Sequence, residues 1–444
     1  MQQDINQRPD EAESRILRDV QRGAFSYFLH ESNRANGLVI DKTATDWPSS
    51  IAATGLALTS YPVGVERNLV SRAEAVERIL TTLRFFWNSK QGTDPDATGY
   101  HGFYYHFLDM HTGARAWKCE LSTIDSALLF GGMLTCAAYF DRDTSEEREI
   151  RALAEQLFAR ADWFWALNGG ATVTHGWKPE SGFLPFRWEG YDEAMLLYVL
   201  ALGSPTHPIP ASSYAAWTST YEWKTIYNIE FLYAGPLFTH QLSHIWIDFR
   251  NIQDAYMRER GIDYFENSRR ATRIQQEYAI RNPNGYNHYG EFCWGITASD
   301  GPGETTLQVD GVQREFFDYR ARAVPFGPDD GTIAPWAVIA SLPFAPEIVL
   351  PTLADFGRYK RQGDDKYGFK ATFNPTFPDP GGAPNGWVSS WHFGLNEGPI
   401  VTMIENYESD LIWTLMSRCP FVISGLRIAG FNGGWLSSVL RTGS

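Results

Sequence analysis

Residues Trp177–Pro208, WKPESGFLPFRWEGYDEAMLLYVLALGSPTHP, decide how the rest of the chain is read. The stretch opens with aromatics, glycines and carboxylates. It then becomes an unbroken apolar helix over 194–202 that stops at Gly203 and Pro205. Glu193 falls in the first turn of that helix, after Gly190, Tyr191 and Asp192. A carboxylate there complements the helix dipole and the unpaired N–H groups, so a helix cap accounts for it on its own. The company argues for more: Trp177, Phe183, Phe186, Trp188 and Tyr191 offer more aromatic surface than a cap requires. Flat rings that stack on sugar C–H faces, mixed with acids that bond hydroxyls, suit a carbohydrate site. Glu193 is therefore the candidate centre, with Glu189 and Asp192 as neighbouring competitors.

Composition narrows the function classes. The 444-residue chain is 43% hydrophobic and 20% charged, ordinary values for a globular protein. Its 16 Trp and 21 Tyr exceed the needs of one core, so some should line a surface or cleft. A net charge of −14 argues against nucleic acid and anionic membranes and suits a neutral ligand. No apolar run approaches the ~18 residues of a membrane span. Cys119, Cys136, Cys293 and Cys419 match no zinc spacing and read as free, mostly buried thiols.

Outward from the opening stretch, helical patterns recur. Residues 1–10 read as a flexible lead, and 11–444 as one domain without a linker-like run. A helix begins near Glu11, a second at Pro48 and a third after Ser71. The fourth, 124–139, is apolar almost all round, and the fifth, 145–168, is amphipathic. After the helix of Glu193 come a charged helix over 253–281 and strands or an excursion over 303–330. Helices resume at 333–342, 345–358, 397–405 and 407–416, with a Gly/Pro-rich loop at 377–391. Buried helices alternating with amphipathic ones imply an all-α fold. The count fits an (α/α)6 toroid, a double ring of helices, with long loops and minor β excursions at the cleft end. A helical solenoid would need a repeat, and none is visible.

Glycosyl transfer needs an acid on the leaving oxygen and a carboxylate on the opposite face of the ring. Glu193 fills the first role. Glu120 and Asp125, in CELSTID, lie at another helix beginning, where Ser-x-x-Asp also reads as a capping pattern. Asp109, beside His106 in YYHFLDM, is a third candidate for activating water. Trp177, Trp188, Tyr191, Trp217, Trp294, Trp387 and Trp391 are candidate stacking platforms, and Asp300 a candidate substrate contact. His207, His240 and His244 could suggest a metal. No Glu follows the first histidine as a metalloprotease requires, so a substrate-binding polar stripe is expected, with no metal and no cofactor. No phosphate loop and no nucleophilic-serine elbow appears.

FFWN (85–88), GFYYHFLDM (102–110), CELSTID (119–125), GYDEAMLLYVLALGSPTHP (190–208), GPLFTHQLSHIWIDFR (235–250), WGITASDGP (294–302), DDGTIAP (329–335) and MIENY (403–407) carry a resemblance. In these motifs the chain resembles glucoamylase-like bacterial proteins that include endo-β-1,2-glucanases and sophorose-releasing exo-enzymes. The resemblance implies an (α/α)6 toroid, inverting hydrolysis of β-1,2-glucan without a metal, and a periplasmic or secreted location. By motif position Glu193 matches the general acid, while Glu120, Asp125 and Asp109 fall in the acidic cluster. Where relatives often read Asp-Gln before Gly-Pro, this chain has Asn396-Glu397, which puts Glu397 forward as an extra carboxylate near the cleft. The expectation is a monomeric inverting hydrolase of a neutral glucan. The rivals are a transglycosylase on the same scaffold and a non-catalytic glucan-binding protein. A lyase fits less well, because lyases need a uronic acid and usually a basic site.

Overall fold

The computed structural model describes residues 9–359, 366–379 and 385–439. The expected lead therefore falls largely outside the described residues, as do 380–384 of the Gly/Pro-rich loop. The first helices are α1 (Glu11–His30), α2 (Ile51–Glu66), α3 (Arg72–Asn88), α4 (Thr123–Tyr139), α5 (Ser145–Ala159) and α6 (Trp163–Ala166). They are followed by α7 (Met195–Leu202), α8 (Ala211–Thr218), α9 (Ala255–Arg260), α10 (Tyr264–Arg281) and α11 (Pro335–Ala340). The last are α12 (Pro346–Phe356), α13 (Gly394–Ser409), α14 (Leu411–Met416), α15 (Pro420–Ile428) and α16 (Gly434–Val439). Strands are short, and the fold is predominantly helical.

Two kinds of helix alternate. Every residue of α7 and α11 is buried, as is α2 from Ile51 to Gly64, and most of α4 and α13. In α2 the buried hydroxyls of Thr54, Thr59 and Ser60 donate to carbonyls four residues back, at 2.9, 2.9 and 2.7 Å. The helix thus carries polar side chains inside without stranding a donor. The helices α1, α3, α5 and α10 bury one face and expose charges on the other. The buried set packs on itself, α2 against α4 and α13, α4 against α7, and α11 against α13. Amphipathic helices lie outside it, α1 on α13 and α5 on α4. One apolar cluster runs from Leu17 to Leu436.

Glycine permits close helix crossings. A Cβ on Gly132 of α4 would come within 2.0 Å of the Gly55 carbonyl of α2, so these backbones meet directly. All four cysteines are free and buried. Among the described residues no helix is long and apolar enough to cross a membrane.

Helix boundaries differ from the sequence reading where the backbone turns left-handed. The expected 253–281 helix is split at Gly261 (φ 70°), after which Asp263 caps α10 through the Glu266 amide. The expected 397–405 and 407–416 helices are divided later, at Asp410 (φ 56°). The 145–168 helix stops at Ala159 and restarts as α6. The 303–330 excursion is a hairpin pairing Thr305–Val309 with Val312–Phe316.

Candidate active site

Four buried helices begin around one cleft of about 540 Å³. Ser50 caps α2, Ser122 caps α4, Glu193 precedes α7, and Phe393 opens α13, whose Leu395 and Asn396 follow; all of these line the cleft. Helix N-termini present positive potential and free N–H groups, which favours acids there. The lining carries six carboxylates, Asp41, Glu120, Asp125, Glu193, Asp300 and Asp318, against one lysine, Lys42. Aromatic rings fill the spaces between them: Trp47, Phe107, Trp117, Trp188, Tyr319 and Phe393.

Glu193 sits just ahead of α7, one position earlier than expected, and is half-buried in the cleft. Ala194 takes the N-cap position without a side-chain cap, and Asp192 Oδ1 accepts from the Ala194 amide at 2.9 Å, fixing the turn before the helix. The Glu193 backbone is pinned by Ser243, whose hydroxyl donates to its carbonyl at 3.0 Å and accepts from Leu196 N at 3.0 Å. Burial lifts the Glu193 carboxyl to about 7, and the charge of Asp125 adds to the rise against an opposing backbone hydrogen bond. Glu189 is exposed and accepts from Thr172 Oγ1 at 2.9 Å, outside the cleft lining.

Asp125 and Ser122 bond reciprocally: the Ser122 hydroxyl accepts from Asp125 N at 3.1 Å and donates to Asp125 Oδ2 at 2.5 Å. The capping pattern and the cleft position coexist in one residue. Glu120 Oε1 lies 2.9 Å from His106 Nδ1. Burial would raise the Glu120 carboxyl, but the bond and charge of His106, with a backbone bond and Lys178, together outweigh it and hold the group at about 2.

Around these acids the walls are aromatic. The Trp47 indole donates to Asp41 Oδ2 at 3.1 Å and meets the Trp117 ring edge-on at 4.7 Å. Lys42 Nζ lies 4.1 Å from the Trp47 ring centre. Trp188 stacks on His175 at 3.9 Å and donates from Nε1 to Thr123 Oγ1 at 3.0 Å. The Tyr319 phenol is raised above its usual range by local enclosure, with Asp41, Asp125, Glu193 and Asp300 adding to it. Asp300 is buried and accepts from Ser389 Oγ at 2.6 Å.

Glu193, Glu120, Asp125, Trp188 and Asp300 are thus brought together; other expected residues lie elsewhere. Asp109 is exposed and caps a turn, its Oδ1 accepting from His111 N, Thr112 N and Thr112 Oγ1. Trp177 pairs with Leu121 in a five-stranded sheet, one residue out of step with Glu120 and Ser122, so strand alternation turns it away from the cleft. It packs instead on Tyr100, at 5.0 Å. Tyr191 packs among His240, Tyr221 and Tyr264. His207 is exposed at the far end of α7 from Glu193.

The histidine stripe does not form. The segment is two successive 3-10 turns, Leu237–His240 and Leu242–Ile245, packed under α10. His240 and His244 are buried there, and the Ser268 hydroxyl meets the His240 carbonyl at 2.7 Å and His244 Nε2 at 3.0 Å. Burial pushes both imidazoles down, to about 4 and about 3, so they are neutral core groups. Trp217 and Trp294 are fully buried, the first stacked on Tyr198 at 4.7 Å, the second donating to Thr352 Oγ1 at 2.9 Å. Trp387 lies in a short strand pair outside the lining, and Trp391 reaches only the outer side of Lys42, at 5.7 Å. Glu397 is buried behind the wall, 2.9 Å from His392 Nδ1, while its neighbour Asn396 faces the cleft. Asp41, Lys42, Trp47, Trp117, His175, Asp318 and Tyr319 were not anticipated. Pro48 was the available signal for the first three, because the segment before a buried helix ends where that helix begins.

The chain resembles known proteins along most of its length. It is 27% identical to an exo beta-1,2-glucooligosaccharide sophorohydrolase (non-reducing end) of Parabacteroides distasonis, over 94% of this chain and 58% of that protein. An endo-beta-1,2-glucanase of Chitinophaga pinensis, solved with sophorotriose and glucose, superposes with a TM-score of 0.82 at 26% identity, covering 95% of this chain and 99% of the other. A crystal structure from Bacteroides uniformis ATCC 8492, described as a "putative glucoamylase", gives 0.84 at 30% identity, covering 97% and 100%. The family model described as "Putative glucoamylase" matches residues 185–420, more than half of the 444, and the chain belongs to that Glycoamylase family.

Proposed function

We propose that this chain is an inverting glycoside hydrolase of β-1,2-glucan or its oligosaccharides, with Glu193 as general acid. The observation that carries this reading is a half-buried carboxyl in an aromatic cleft, lifted to about 7 and so able to hold a proton near neutral pH. Glu193 would protonate the glycosidic oxygen as the C1–O bond breaks. A water would attack C1 from the opposite face, losing its proton to a carboxylate of the 120–125 cluster, directly or through a substrate hydroxyl. Of that pair Asp125 is the better base, because a carboxyl held at about 2, as Glu120 is, takes up protons poorly. Trp47, Trp117 and Trp188 would stack on sugar faces. The names of the similar proteins, both specifying β-1,2 linkages, support the choice of glucan. The concentric packing of buried and amphipathic helices supports an (α/α)6 double ring forming a single domain.

The test is product analysis on a panel of β-linked glucans, with the anomeric form followed by NMR. Wild-type protein should cleave β-1,2-glucan and release the α-anomer first. Glu193→Gln should lower kcat by roughly 10²–10⁴. Absence of turnover on every β-linked glucan, or an unaffected Gln variant, would refute the assignment.

A further inference from the structure

We propose that His106 is a positioning residue, its ring clamped between Glu120 and Asp125 so that one imidazole aims both carboxylates into the cleft. The role in catalysis rests on the hydrolase reading; the clamp itself does not. Nδ1 lies 2.9 Å from Glu120 Oε1 and Nε2 lies 3.6 Å from Asp125 Oδ2. The ring stacks on Phe107 with centroids 3.9 Å apart and planes 14° from parallel. Its backbone is tied at both ends: the His106 amide donates to the Glu120 carbonyl at 3.0 Å, and its own carbonyl accepts from Ile51, the first residue of α2, at 3.2 Å. The ring is therefore held by the segment of Glu120 and by the start of α2.

An imidazolium would present an N–H to each carboxylate, within hydrogen-bond range of Glu120 and ion-pair range of Asp125. Burial alone would strip the second proton. The charges of Asp125, Glu120 and Asp41 overcome it and raise His106 to about 9. The other groups facing this cluster are Lys178, which pulls Glu120 down, and Cys119, whose thiol burial keeps neutral by lifting it to about 11. His175 also faces Glu120, whose charge opposes the burial that lowers that imidazole. Without the imidazolium, the burial that raises the Glu120 carboxyl would lose its main opposition. With it, the proton resides on the ring, Glu120 stays anionic, and Glu193 keeps a proton to give.

The decisive measurement is 15N NMR of histidine-labelled full-length protein. His106 should show two protonated ring nitrogens at pH 7 and a midpoint near 9, falling in Glu120→Gln. A neutral tautomer at pH 7, a midpoint at or below 6.5, or no change in Glu120→Gln would overturn the proposal. Because these signals need no turnover, they stand apart from any failure of the hydrolase reading. In kinetics, His106→Asn and His106→Gln should lower kcat at least tenfold with less than threefold change in KM. Both should also move the acid limb of the kcat profile up by about one pH unit, which is tenfold in proton affinity. A lower kcat with an unmoved acid limb would mean that the ring only packs, and would overturn it.

Discussion

Replacing Glu193 by Gln should make the protein more stable, and only above a definite pH. The folded Glu193 carboxyl lies at about 7 against an ordinary value of 4.5, raised first by burial and then by Asp125. Below about pH 4.5 the group is protonated both in the folded and in the unfolded chain, so its proton adds no pH dependence. Between 4.5 and 7 the unfolded chain releases the proton while the folded one keeps it, and stability declines. Above about 7 the folded carboxyl ionises too, and the loss levels off. At about 1.4 kcal/mol per tenfold change in proton affinity, the accumulated loss is about 3 kcal/mol. The amide variant never has to lose a proton. Urea denaturation of both proteins at pH 4.5 and pH 8.5 reads this directly. The stability difference between variant and wild type should grow by about 3 kcal/mol between the two pH values, with m-values unchanged. An equal difference at both would show that the cleft does not raise this carboxyl, and the argument for Glu193 as a proton donor would fail with it.

Three other substitutions separate the cleft from its surroundings. Asp109→Ala should leave kcat within twofold of wild type and cost about 1 kcal/mol in urea denaturation, because its three accepted bonds organise a surface turn. Trp117→Ala should raise KM about fivefold with little change in Tm, since the ring is 57% exposed and meets Trp47 only edge-on. Arg322→Met should cost about 3–5 kcal/mol by leaving the fully buried Asp330 carboxylate without its partner at 2.7 Å. Arg322→Met/Asp330→Leu should recover most of that loss, and a single variant costing under about 1 kcal/mol would refute the account.

Helix burial was legible because it is written in local pattern. An all-apolar helix such as α4 must be surrounded, and an amphipathic one such as α5 must face solvent on one side. The acids at the starts of these helices were legible for the same reason. The platforms were not. A tryptophan's sequence neighbours say little about which other elements close over it: Trp217 is stacked by Tyr198 of α7 and Trp294 is bonded by Thr352 of α12. Trp117, by contrast, is held out at φ 52° beside Lys118 at φ 51°, a backbone state that a non-glycine residue rarely adopts and that local composition does not announce. The histidine stripe failed on period: positions four apart share a face of an α-helix but not of successive 3-10 turns.

The acids and rings that met in the cleft share a position in the architecture rather than a motif. Trp47 and Ser50 precede or cap α2, Ser122 and Asp125 open α4, Glu193 precedes α7, and Phe393 and Asn396 open α13. These helices offer the cleft their first turns, because their middles are enclosed by neighbouring elements. That first turn supplies free N–H groups and the positive end of a dipole, so acids gathered there repel one another less than they would in an apolar wall. Glu397 illustrates the limit. It lies only one residue beyond Asn396 on α13, yet that step rotates it out of the cleft and behind the wall, where it lies 2.9 Å from His392 Nδ1 and burial raises its carboxyl. A carboxylate thus reaches the cleft by lying at the beginning of a buried helix and on the side that faces its neighbours' beginnings, and proximity in sequence to a cleft residue is not enough.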